Sequence, residues 1–100
     1  MKREDAERIV QEYLDSHWRH ITEVEIMHDR TIEREYGWIF LYQSKKYLET
    51  NNLRDMLIGN APILVKHLGE TVLFPTSLRV EESIRRYEAG EALSPQRKPR

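Results

Sequence analysis

The segment Gly37-Trp38-Ile39-Phe40-Leu41-Tyr42-Gln43 is apolar at both parities of a two-residue repeat. As a strand it points Trp38, Phe40 and Tyr42 one way and Ile39 and Leu41 the other, so neither face suits water. The strand must lie inside a sheet, and the rest of the chain has to supply its cover. From Arg3 to Trp18, apolar residues fall at Ala6, Ile9, Val10, Tyr13, Leu14 and Trp18. Those steps trace one face of an amphipathic helix, and Glu4, Asp5 and Glu7 place negative charge at its N-terminal end.

Around these two elements the chain reads as follows. Ile21–His28 alternates Val24, Ile26 and His28 with Glu23, Glu25 and Met27, the pattern of a strand with one wet face. Asp29–Glu35 reads as the solvated turn of a hairpin into Gly37–Gln43. Lys45–Asn52 is a connection anchored by Tyr47 and Leu48, and Asn52 caps a short helix Leu53–Ile58, with Gly59 as its stop. Pro62 opens a strand Ile63–Lys66, Gly69 turns it, and Thr71–Phe74 returns. Ser77 caps a helix Leu78–Ala89 whose inner face is Val80, Ile84 and Tyr87, and Gly90 ends it. The expected fold class is α+β: an antiparallel sheet of about four strands, the N-terminal helix packed on it against Trp38, Phe40 and Tyr42, a short middle helix, and the C-terminal helix tucked at one side. Two layers would share one core. Residues 1–90 form a single domain, and 91–100 a polar, disordered tail.

Composition then narrows the chemistry. The 100 residues hold Lys plus Arg 16 and Asp plus Glu 17, a formal charge of −1, which argues against a dedicated nucleic-acid binder. Without Cys there are no disulfides, thiolate zinc sites or cysteine nucleophiles. No apolar run is long enough for a signal peptide or a membrane span, so the expected location is cytoplasmic. His17 and His20 have a metal-pair spacing but no third ligand beside them, and His28 and His67 read as surface residues. No Gly-x-Ser-x-Gly frame surrounds Ser44, Ser77 or Ser83, and the glycines are isolated. Glu49, after Tyr47 and Leu48, reads as a structural hydrogen-bonding residue. These features point away from an enzyme, a metal and a cofactor, and toward a binding module.

Charge is unevenly distributed. Residues 21–35 carry Glu23, Glu25, Asp29, Glu33 and Glu35 against Arg30 and Arg34. They read as ordinary solvated surface or as an acidic edge that meets a basic partner.

The run Tyr36-Gly37-Trp38-Ile39-Phe40-Leu41-Tyr42-Gln43-Ser44-Lys45-Lys46-Tyr47-Leu48-Glu49-Thr50, followed by Leu57-Ile58-Gly59-Asn60-Ala61-Pro62-Ile63-Leu64-Val65, resembles the immunity protein 35 family, which includes YrhB-like small bacterial proteins. The likeness runs from Ile9 to Glu88, and Pro75-Thr76-Ser77 departs from it where Gly-Thr-Ala is expected. It implies a protein that binds and neutralises a toxin of a bacterial polymorphic toxin system; the alternative is a YrhB-like heat-stress holdase for unfolded chains. Within this resemblance Trp38, Tyr42, Leu48, Glu49, Asn60 and Pro62 read as fold-makers, with Asn60 at a left-handed or turn position before Ala61-Pro62. Toxin contact is expected instead at Glu25, Asp29, Glu33 and Glu35.

Overall fold

The helical face read from the first residues becomes α1, Arg3–Trp18, in a computed structural model that describes residues 1–93. Most of the expected tail, residues 94–100, lies outside the described residues. At the start of α1 the Lys2 backbone N–H donates to the Asp5 carboxylate at 3.0 Å. This bond fixes the chain's entry, and the first-turn acids complement the positive end of the helix dipole. Ala6, Val10 and Leu14 are fully buried, and Ile9 and Trp18 flank them. Tyr13, expected inside, lies 37% exposed at the margin.

The next four strands form one long, interrupted hairpin: β1 (Val24–Ile26), β2 (Ile32–Arg34), β3 (Gly37–Phe40) and β4 (Tyr42–Ser44). β1 pairs antiparallel with β4, and β2 with β3. Two expectations change here. The segment 37–43 is not one strand but two, separated at Leu41. Residues 29–35 are not all turn, because Ile32–Arg34 pair and only Glu35 and Tyr36 link Arg34 to its partner Gly37. Both changes have one cause. The 3₁₀ turn His28–Arg30 inserts three residues on one arm only. The Met27 N–H still bonds the Leu41 carbonyl at 2.8 Å, so the ladder bends around the insertion rather than ending. Gly37 is required by a close approach: any Cβ there would run into the Val65 carbonyl oxygen of the neighbouring strand.

β5 (Ile63–Lys66) and β6 (Thr71–Leu73) complete a four-stranded sheet in the order β2-β3-β5-β6, while β1 and β4 form a two-stranded extension. Gly69, at φ 94°, makes the β5–β6 turn. α2 (Lys45–Thr50) follows β4 directly, where a connection was expected. Ser44 explains it, since its hydroxyl accepts the Tyr47 N–H at 2.9 Å and caps the first turn. Asn52 caps as expected, through the Arg54 N–H, but the element it starts is a single 3₁₀ turn, Leu53–Asp55. α3 (Val80–Ala89) begins later than expected, because Thr76 and Ser77 form a turn and Arg79 enters without a side-chain cap. Gly90, at φ 72°, closes it.

The sheet is covered on both sides. Trp38, Phe40, Ile63 and Val65 face α1, joined by Val24, Ile26, Tyr42 and Leu57. Ile39 and Leu64 face α3, where Ile84, Val80, Tyr87 and Phe74 meet them. The two-layer, one-core expectation is therefore corrected to three layers, α1, sheet and α3, with a core on each side. The alternation in Trp38-Ile39-Phe40 dictates this, because each parity needs its own cover.

Candidate protein-binding surface

The arm from Val24 to Glu35 is built to display charge. Glu25 points away from the core between buried Val24 and Ile26. Asp29 sits in the 3₁₀ turn, Glu33 in edge strand β2, and Glu35 in the tight turn. All four are exposed, and none of their carboxylates forms an ion pair among the described residues. Asp5, Glu7, Glu23, Asp55, Glu70, Glu82, Glu88 and Glu91 do, whereas Glu4, Glu12, Asp15, Glu49 and Glu81, scattered over the helices, are unpaired as well. Of the neighbouring bases, Arg34 turns to Glu88 at 3.4 Å, leaving the arm's own acids unneutralised by it. The four acids share an arm rather than a face. Glu25 pairs with Gln43, and Glu33 with Trp38, whose ring lies on the α1 side, so Glu25 and Glu33 project from opposite sides.

The bulge that carries Asp29 is pinned to α1. Arg3 donates to the His28 carbonyl and, through Nε, to Glu7 at 3.2 Å, and His28 Nδ1 meets the same Glu7 oxygen at 2.9 Å. Burial would raise the Glu7 carboxyl, but the hydrogen bonds from His28 and Arg3 outweigh it and hold the group below its usual range. The arm is thus fixed where it leaves the core.

A second feature adjoins Glu25. Its cross-strand neighbour Gln43 is buried, and its Oε1 accepts the Leu57 N–H and, at 2.8 Å, the Ser44 N–H. Ser44 Oγ in turn donates to the Asp55 carbonyl at 2.6 Å. These bonds clamp the Asp55–Leu57 stretch against β4. Leu57 turns inward, and Leu53 (73% exposed), Ile58 (83%) and Met56 are left in solvent. Nothing in the sequence distinguishes Leu57 from Ile58 as the inward residue. Gln43, which decides it, reads in sequence as an ordinary strand-end polar residue.

The resemblance-derived residues divide. Trp38 and Tyr42 are buried in the α1-side core. The Asn60 side chain donates to the Tyr42 carbonyl at 2.8 Å, and the Pro62 carbonyl accepts the Phe74 N–H. Of the two expectations for Asn60, a left-handed or a turn position, the left-handed one does not hold, since its φ is not positive. Among the described residues the non-glycine with positive φ is Asn51, at 56°, which ends α2. Leu48 and Glu49 lie exposed on α2, and the Glu49 side chain makes no hydrogen bond among the described residues. His17 stacks on Tyr13, ring centroids 5.3 Å apart, and no group of three or more metal-ligating side chains exists among the described residues. No helix there is long and apolar enough to cross a membrane. The groove between the C-terminal half of α1 and β1, about 480 Å³ and lined by Gln11, Asp15, Glu23, Glu25 and Lys45, is open to solvent.

Comparison with known proteins adds the following. Residues 4–90 match the family described as Immunity protein 35. A 57-residue stretch is 35% identical to the uncharacterized protein YrhB of Escherichia coli (strain K12), covering 56% of this chain and 61% of that protein's length. No solved structure matches the chain.

Proposed function

The chain belongs to the immunity protein 35 family, and from that membership we propose that it binds and neutralises a cognate bacterial polymorphic toxin in the cytoplasm, without catalysis of its own. The observation that carries this reading is the set of exposed carboxylates with no ion-pair partner, Glu25, Asp29, Glu33 and Glu35, on an arm anchored to α1. Long-range attraction from such an arm speeds encounter with a basic surface. Leu53, Met56 and Ile58, left exposed on the stretch that Gln43 and Ser44 tie down, supply apolar contact once the partner arrives. A rigid body of this kind neutralises by covering the toxin's active face.

The test is capture of the toxin encoded by the neighbouring gene, comparing the native protein with a variant reversed at Glu25, Asp29, Glu33 and Glu35 to Lys. Capture should weaken and its dependence on salt should flatten. Unchanged affinity with an unchanged salt slope removes the electrostatic part of the proposal. The holdase alternative draws on the same apolar residues, Leu53, Met56 and Ile58. It is separated by heating an unrelated client: a dedicated toxin antagonist leaves that client to aggregate.

A further inference from the structure

The two edges of the four-stranded sheet are finished differently. In β2 the Arg34–Gly37 pair closes the hairpin, so the intervening register turns the Glu33 backbone outward. That outward carbonyl is already taken by the Arg34 guanidinium at 3.0 Å, and the 3₁₀ insertion bends the strand away just before it. Charge, a bulge and a side-chain cap are the usual protections of a sheet edge. β6 has none of these three; its limits are its length, Thr71–Leu73, and Pro75 just beyond it. The Lys66 N–H bonds the Glu70 carbonyl and the Phe74 N–H bonds the Pro62 carbonyl. With the alternation of an antiparallel ladder, Val72 therefore faces β5, and Thr71 and Leu73 turn their backbone N–H and C=O outward. No side chain among the described residues bonds to them. Between Thr71 and Ser77 there is no charged residue. Along this edge, on the α1 side, runs an apolar groove of about 300 Å³ walled by Ile9 and Tyr13 and floored by Ile63, Thr71 and Leu73, the last 51% exposed.

We propose that β6 pairs with β6 of a second copy of this chain about a two-fold axis at Val72, joining the two sheets into one. The occupant follows from register and charge. A two-fold at Val72 sets Thr71 opposite Leu73 of the other copy and the reverse, so the outward donors and acceptors of each strand meet those of the other. Glu70, the nearest charge, falls opposite Phe74 of the other copy rather than another acid, and its carboxylate is already held by Lys66 at 3.7 Å. Each groove, open along the edge in one copy, is extended by Thr71 and Leu73 of the other. The protected β2 edge closes the assembly at two chains. This interface is independent of which toxin the acidic arm meets.

Sedimentation equilibrium of the full chain, from about 1 μM to about 1 mM, should show mass rising from 12.0 kDa toward twice that value. Leu73→Lys, at a half-exposed position, should keep its circular dichroism and stay at the single-chain mass. The chain has no Cys, so Val72→Cys places two thiols at facing positions with the Cα separation of a disulfide. It should cross-link on mild oxidation, while Leu68→Cys, at the 91% exposed tip of the β5–β6 turn, should not. A native protein that stays monomeric throughout the range overturns the proposal. So does a Leu73→Lys protein that associates like the native one, or cross-linking through position 68 as readily as through 72.

Discussion

At the scale of single residues, two positions decide more than their neighbours do. Gly37 lets β5 pass close to β3, and a methyl group there would meet the Val65 carbonyl. The Gly37→Ala protein should lose at least about 2 kcal/mol, because backbone, not a movable side chain, has to give way. Urea denaturation checks this, and a loss within about 0.5 kcal/mol would refute the close-approach argument. Gln43 is the second. Its side-chain oxygen serves two backbone N–H groups in a buried setting. Gln43→Ala leaves both without a partner, at about 1–3 kcal/mol each for a buried donor left unsatisfied. Gln43→Glu keeps an acceptor oxygen there, so the Leu57 amide should exchange faster with solvent in the Ala variant than in the Glu variant. Equal exchange in the two variants would mean that the oxygen is not what holds the stretch down.

At the scale of elements, α3 carries a pH dependence whose sign can be worked out. Hydrogen bonds from Arg85 and then Arg86 hold the Glu82 carboxyl down at about 2, against an ordinary value of 4.5. A depressed acid contributes stability that is fully present above the unfolded value and is lost as pH falls from about 4.5 toward about 2. The melting temperature of the native protein should therefore drop more steeply across that window than that of Glu82→Gln. The two should converge near pH 2; parallel curves would show that the solvent-exposed bridges contribute nothing, a common fate of surface pairs. Elements also mark the limit of what the sequence revealed. α1, β5 and the Gly90 stop were legible because each is written in a local signal: an apolar stripe, a proline entry, a glycine with positive φ. The α+β class followed from them. The division of 37–43 into β3 and β4 was not, because its cause lies across the hairpin, in three residues inserted on the opposite arm. β2 was hidden for the same reason, its Ile32-Glu33-Arg34 too short to show a period before pairing supplies one. The second core was implied by Ile39 and Leu41 pointing away from Trp38, yet only the placement of α3 shows what covers that side.

At the scale of the whole molecule, the acids could be read from sequence as a charged segment, and the structure adds that their carboxylates lack ion-pair partners while one neighbouring base is diverted to Glu88. The exposure of Leu53, Met56 and Ile58 was illegible, because in sequence they fall within an expected short helix Leu53–Ile58 that assigns no face to any of them. They are exposed because that helix is a single 3₁₀ turn and the stretch after it is tied down by Gln43 and Ser44. On the proposed toxin-binding reading, the charged and apolar residues act at different stages of an encounter, and this gives a kinetic prediction. Charge works at a distance, over roughly the 8 Å screening length of physiological salt, and sets how often partners meet in a productive orientation. Apolar contact works only after water has left, and sets how long they stay. Neutralising Glu25, Asp29, Glu33 and Glu35 as their amides should therefore slow association with the toxin by about tenfold or more at low salt, with dissociation little changed. Leu53→Ser combined with Ile58→Ser should do the reverse, speeding dissociation by about tenfold for each 1.4 kcal/mol of contact removed and leaving association and the melting temperature close to native. Surface plasmon resonance across a salt series separates the two rates. If both sets of substitutions act on dissociation alone, the acids are contact residues rather than a steering field, and the arm's exposure serves the docked complex instead of its approach.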